Sequence, residues 1–270
     1  MRLKAVTLKN FRCYDKEIHV DFADLTTFVG RNDIGKSSVL EALEIFFNNS
    51  VVSIEQSDAN VHSGLEKVEI ACEFTDFPRA LTLDAGAETS LAEEFLLTEA
   101  GTLKVKKVYD CGSKKPSLEV FVVANHPSAA GFQNLLELKE KDLQAKVKEL
   151  KLEVALKGNP GMRKAIWGAG GDLQLTETAI PVSKAKEDTK KIWDQIESYL
   201  PMFALFQSDR SSKDSDEEVQ SPMKAAVAAA LAEVQADIAK IQQRVQEKAE
   251  EIAKNTHEAL MTLDPGLASE

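Results

Sequence analysis

Leu25-Thr26-Thr27-Phe28-Val29-Gly30-Arg31-Asn32-Asp33-Ile34-Gly35-Lys36-Ser37 is the stretch from which the rest of the chain can be placed. Its last eight residues fit G-x-x-x-x-G-K-[ST] in full. The five residues before Gly30 are short, largely apolar and rich in β-branched side chains, and they read as a strand. From Lys36 onward Val39, Leu40, Leu43 and Phe47 recur at helical spacing. Strand, glycine loop and helix in that order are what a phosphate-binding loop requires. Glycines let the backbone curl so that successive N–H groups face an anion, and the helix N-terminus adds the positive end of its dipole. Lys36 is expected to neutralise β- and γ-phosphates as the catalytic cation, and Ser37 to offer its hydroxyl to magnesium. ATP with Mg2+ is thus the expected ligand, enclosed by Gly30, Asn32, Asp33, Ile34, Gly35, Lys36, Ser37 and Ser38. The plain alternative, a glycine turn before an unrelated helix, is opposed by the elements on either side.

Working outward, residues 3–10 and 19–22 alternate as half-buried strands do, whereas residues 51–66 are polar and without period. Residues 68–74 alternate again. The runs 103–109 and 118–123 flank the turn-rich Gly112-Ser113-Lys114-Lys115-Pro116 and predict an antiparallel hairpin. A helix is predicted over about 132–157, stopped by Gly158-Asn159-Pro160. Residues 158–182 read as an irregular connection, 184–199 as a helix, 203–206 as a buried strand and 208–220 as an acidic, serine-rich loop. Ser221-Pro222 then opens a long helix in which Val227, Leu231, Val234, Ile238, Ile241 and Val245 form a heptad seam. Such a stripe needs a partner, so a helical hairpin or a homodimer through 221–260 is expected beside the simpler reading of an ordinary amphipathic helix. The fold class predicted is α/β: a mixed sheet around the phosphate-loop helix, an antiparallel flank and a helical, coiled-coil-like arm. The lobe is assigned to 1–215, with a helical insertion at about 132–200, and the arm to 216–270.

Composition narrows the classes. Three cysteines, Cys13, Cys72 and Cys111, are odd in number and contain no C-x-x-C pair, which favours a reducing cytoplasm over a disulfide frame or zinc site. His19, His62, His126 and His257 are scattered and read as ordinary buried or solvated residues. No apolar run reaches membrane-spanning length. A net charge of -11 repels nucleic acid as a whole, so a DNA contact would need a local basic strip. Lys104, Lys106, Lys107, Lys114 and Lys115 on the hairpin are the candidates, with a solubilising face the plainer reading. The acidic cluster Asp214, Asp216, Glu217 and Glu218 reads as a solvated loop.

Asn32 in G-x-N-x-x-G-K-S, together with Asn10-Phe11-Arg12 after the first strand, resembles the amino-terminal lobe of SMC, RecF and OLD (overcoming lysogenization defect) ATPases, an ABC-type group. That resemblance implies that Arg12 reaches the nucleotide. Within the group the chain is most similar to the OLD branch of ATP-dependent nucleases, which includes Gabija-type and retron-associated antiphage proteins. The likeness rests on Asp33 where RecF and SMC proteins usually have glycine, on Ala124-Asn125-His126-Pro127, and on residues 200–210, Leu-Pro-Met-Phe-Ala-Leu-Phe-Gln-Ser-Asp-Arg. It implies that Gln207 sits where a Q-loop glutamine senses γ-phosphate and metal, as a catalytic and metal-contacting group. A polar residue ending a strand is the equal alternative there.

An apolar strand ending in Asp-Glu, a serine-glycine signature and the acidic triad of a Toprim nuclease are not found in these 270 residues. The expectation is an amino-terminal part of a longer protein, or half of a split one. The intact protein is expected to be an ATPase and ATP-dependent DNA endonuclease in antiphage defence, with DNA and a further defence protein as partners. The alternatives are a RecF- or SMC-type repair ATPase, and an assembly subunit that uses nucleotide only to dimerise.

Overall fold

The structure, a computed structural model, describes residues 1–84 and 87–206. Two compact units divide the chain at Leu205 and Phe206. The expected loop at 208–220, the long helix at 221–260 and its heptad seam lie outside the described residues.

Six strands form one sheet. In chain order they are β1 (Arg2–Lys9), β2 (Ile18–Asp21), β3 (Lys67–Thr75), β6 (Leu103–Asp110), β7 (Ser117–Pro127) and β8 (Leu175–Pro181), arranged β2-β1-β3-β6-β7-β8. A separate hairpin joins β4 (Leu81–Asp84) to β5 (Ala87–Thr89). Every described pairing is antiparallel, so the expected mixed sheet is corrected to an antiparallel one. Alternation decides which face is buried. Val6, Cys72, Val105, Val122 and Ile180 stand opposite one another across five strands, and each is buried. The other face is mixed and carries the ion pairs. There Glu69 lies between Lys9 at 3.4 Å and Lys106 at 3.3 Å, and Glu73 pairs with Lys104 at 3.7 Å.

Against the apolar face packs α1 (Lys36–Phe47), which buries Val39, Ala42, Leu43, Ile45 and Phe46. Leu40, expected on that stripe, is instead 37% exposed. Glu44 is fully buried and turns the chain after the helix, accepting from Asn48 Nδ2, Ser50 Oγ and the Val51 N–H. A second layer holds α2 (Glu140–Glu149), α3 (Asn159–Ala169) and α4 (Glu187–Ser198).

Four further expectations are corrected. Residues 25–29 form no strand, with Leu25 and Val29 85% and 87% exposed. No described strand pairs with them, and an extended segment without a ladder partner is not held as a strand. Residues 203–206 are likewise not a strand; Phe203 instead stacks on Phe47 at 5.6 Å between ring centroids, and its carbonyl accepts from Asn48 Nδ2. The helix foreseen over 132–157 is a 3-10 turn at Leu135–Glu137 followed by α2, which ends before Lys151 at φ +54°. Finally, 158–182 is not irregular but contains α3 and β8. Gly158-Asn159-Pro160 starts a helix rather than stopping one, because proline in the first turn lacks only an N–H that no carbonyl there needs.

Candidate functional site

The phosphate loop joins segment 22–29, whose Phe22 and Phe28 are half-buried against the core, to α1. Residues 31–34 are exposed; Asp33 takes φ +63°, a left-handed conformation that aspartate tolerates, and Gly35 takes φ +97°. Gly35 is also the helix N-cap, so no side chain caps α1, and its first turn contains no acidic residue. A helix leaves its first N–H groups without internal partners. In α1 those donors and the positive end of the dipole face outward, with Lys36, Ser37 and Ser38 in the first turn. This is the donor set that a polyphosphate requires, and on that ground the residues fit ATP with magnesium.

Lys36 folds over the loop, donating from Nζ to the Gly30 carbonyl at 2.9 Å and the Arg31 carbonyl at 2.5 Å. The ammonium thereby stays at the mouth of the loop. Beside it lies an open cleft of about 650 Å³, lined by residues 22–28 with Lys36, Ser37 and Leu40, within the size range of small-molecule sites.

The turn after β1 approaches the loop from the other side. Phe11 and Tyr14 exchange backbone bonds of 3.0 and 2.8 Å around Arg12 and Cys13. Arg12, at φ +49°, does not point freely into solvent: Nε donates to Asp58 at 2.7 Å and Nη1 to Glu41 of α1. Partial burial opposes the charge of its guanidinium, and the hydrogen bonds to Glu41 and Asp58 outweigh that cost and hold it protonated. Glu41 lies one turn along α1 from Ser37, so the structure brings Arg12 to the phosphate-loop helix through a carboxylate. Asn10 is fully buried and donates to the carbonyls of Leu65 and Lys67, both at 2.9 Å. Asn60 Nδ2 donates to the Arg12 carbonyl at 2.6 Å.

Gly30, Asn32, Asp33, Ile34, Gly35, Lys36, Ser37 and Ser38 are brought together in one loop and first turn, whereas Gln207 lies outside the described residues. Sequence reasoning missed Tyr14, whose hydroxyl donates to the Gly35 carbonyl at 3.0 Å, and the carboxylates of Glu41 and Asp58 that hold Arg12. Tyr14 follows the Asn-Phe-Arg triplet by two residues, and that proximity was the available signal. The hairpin lysines divide. Lys104 and Lys106 are paired with carboxylates on the outer face, while Lys107 turns inward, its Nζ 2.6 Å from the Phe46 carbonyl. Among the described residues no three His, Cys, Asp or Glu side chains form a metal-binding group, and no helix is long and apolar enough to cross a membrane.

No curated protein matches the chain in sequence. A family model described as an AAA ATPase domain does match it, over residues 1–270. With the phosphate loop in place before an uncapped helix, the chain belongs to the AAA ATPase domain family.

Proposed function

We propose that this ATPase domain is the nucleotide-binding lobe of an OLD-type DNA endonuclease, in which ATP governs a Toprim nuclease domain during defence against phage. The observation behind the nucleotide reading is the uncapped N-terminus of α1, with Lys36 and Ser37 in its first turn. The finer assignment rests on Asn32 and Asp33 in the loop and on Asn10-Phe11-Arg12 before it. When bound, ATP with magnesium supplies the scissile phosphoanhydride and a charge-neutralising cation. Lys36, now held by the Gly30 and Arg31 carbonyls, would bind the phosphate oxygens, and the Ser37 hydroxyl would hold the metal. Arg12 is assigned to the nucleotide's flank, held ready by Glu41 and Asp58, and Gln207 to sensing the metal. DNA and a defence partner are proposed for the intact protein, in the cytoplasm, as a homodimer through 221–260. Since Lys104 and Lys106 are neutralised by Glu73 and Glu69, DNA is assigned to surfaces other than this sheet face.

Lys36→Ala tests the nucleotide reading. Titration of Mg·ATP into both proteins should give at least a tenfold loss of affinity, about 1.4 kcal/mol or more. Equal affinities in the two proteins overturn the assignment. The nuclease reading is tested by plasmid cleavage with the full gene product, which should require both ATP and Lys36.

A further inference from the structure

Tyr14 has no part in the nucleotide reading so far, yet it makes the one side-chain hydrogen bond described to the Gly35 carbonyl, at 3.0 Å. That carbonyl belongs to the peptide joining Gly35 to Lys36. In a trans peptide the C=O and N–H point in opposite directions, and no cis bond occurs among the described residues. Fixing the carbonyl on Tyr14 therefore turns the Lys36 N–H away from the tyrosine, toward the mouth of the loop. The same carbonyl also accepts from the Val39 N–H, but at 3.3 Å, long for a helical bond. Tyr14 is the nearer partner.

Outside restraint matters at this peptide more than at most. Gly35, at φ +97°, has no side chain to limit its rotation, so its own covalent structure leaves the following peptide loosely determined. The tyrosine stands on a braced turn. Phe11 and Tyr14 are bonded to each other through their backbones, the Arg12 N–H donates to the Asp58 carbonyl at 2.7 Å, and Asn60 holds the Arg12 carbonyl. The buried Asn10 amide ties the start of the turn to the chain at Leu65 and Lys67. Contact is close throughout: a Cβ built on Gly35 would lie 2.6 Å from the Tyr14 hydroxyl.

We propose that Tyr14 is a positioning residue for the phosphate loop, holding the Lys36 N–H in its anion-binding direction through the Gly35 carbonyl before nucleotide arrives. The proposal rests on the nucleotide reading of the loop and adds to it the group that pre-organises the site. A loop that spends part of its time with this peptide turned binds nucleotide more weakly by the fraction lost.

The test compares wild type, Lys36→Ala, Tyr14→Phe and Tyr14→4-aminophenylalanine in the 270-residue chain, by equilibrium titration with a fluorescent ATP analogue and Mg2+. Tyr14→Phe removes one hydroxyl and should weaken binding about three- to tenfold, the usual worth of one hydrogen bond. Its melting temperature without nucleotide should fall by no more than about 2–4 °C, the cost of that one hydrogen bond to the folded chain. The 4-amino group restores an N–H donor at the same place and should restore affinity, which a general loosening of the fold would not allow. Wild-type affinity in Tyr14→Phe, or a loss that follows a larger drop in melting temperature and is not rescued, overturns the positioning role while leaving the nucleotide reading intact. Equal binding by wild type and Lys36→Ala overturns that reading, and the positioning role with it.

Discussion

Gly30 and Gly35 are the two glycines of the motif, and their surroundings separate them. Gly35 has φ +97°, and an added Cβ would lie 2.6 Å from both Cys13 Sγ and the Tyr14 hydroxyl. At Gly30 the φ is not positive, and the nearest obstacle to a Cβ is the tip of the exposed Ile34 side chain, which can swing aside. Gly35→Ala should therefore destabilise the folded chain by about 1–3 kcal/mol, as non-glycine residues in strained backbone do. Gly30→Ala should stay within about 0.5 kcal/mol, the range of ordinary surface changes. Urea unfolding of the two variants side by side checks this; equal midpoints would mean that the Gly35 turn relaxes without cost. The motif made Gly30, Gly35, Lys36 and Ser37 legible in the sequence because their roles are local. Tyr14 was not legible, since its bond spans 21 positions and exists only once the turn after β1 has folded against the loop.

α1 meets the rest of the fold differently at its two ends. Its N-terminus is left uncapped for a ligand, while its C-terminus is closed by the sheet. Tyr109 donates to the Ile45 carbonyl at 3.1 Å and Lys107 to the Phe46 carbonyl at 2.6 Å, both from β6. A lysine near the last turn also opposes the negative end of the dipole. Lys107 was expected with the other hairpin lysines on a solvent or DNA-facing strip, although the alternation that puts it on one strand face with Leu103, Val105 and Tyr109, all core residues, was a signal for its inward place. The unformed strand at 25–29 was not readable, since local β propensity says nothing about whether a neighbour is there to pair. β7 meets α3 at another buried polar group, His126, whose ring lies 6.1 Å from that of Trp167. Its Nδ1 faces the Phe95 carbonyl at 2.9 Å and must donate, so the neutral ring already satisfies the contact. Burial lowers the pKa of His126 below 6.5, against the opposing pull of the Phe95 carbonyl and the Glu94 charge. Below pH 6.5 the unfolded chain then binds more protons than the folded one, and stability falls as pH is lowered through that window, by at most about 1.4 kcal/mol per pH unit. Melting temperatures at pH 7.5 and 5.5 should drop more for wild type than for His126→Gln, which keeps a donor but does not titrate. Parallel slopes would remove His126 as their source.

At the scale of the whole described unit, a buried arginine is the centre of the joint between the helical layer and the segment after the β4–β5 hairpin. Arg163 of α3 is fully buried; its Nε and Nη2 donate to the two Glu94 oxygens at 2.7 and 2.6 Å, and its Nη1 to Asp188 of α4 at 2.5 Å. These residues come from three segments, with 69 positions between Glu94 and Arg163. Nothing in the periodicity of α3 marks the arginine as internal, because charged residues are ordinarily read as the solvent face. The sequence thus predicted an irregular connection over 158–182, where α3 instead brings a charge to meet α4 and the segment at Glu94. Such a cluster is not required for stability in itself, since desolvating three charges offsets much of their mutual attraction. Removing only the cation is another matter, because two carboxylates then remain in a dry site. Arg163→Met should cost about 3–5 kcal/mol, whereas Arg163→Met with Glu94→Leu and Asp188→Leu should recover most of that loss. Urea midpoints of wild type, single and triple variants distinguish the cases. A single variant as stable as wild type would mean that water reaches the carboxylates. A triple variant no better than the single one would mean that the cluster's shape, rather than its charge balance, holds the helical layer to the segment at Glu94.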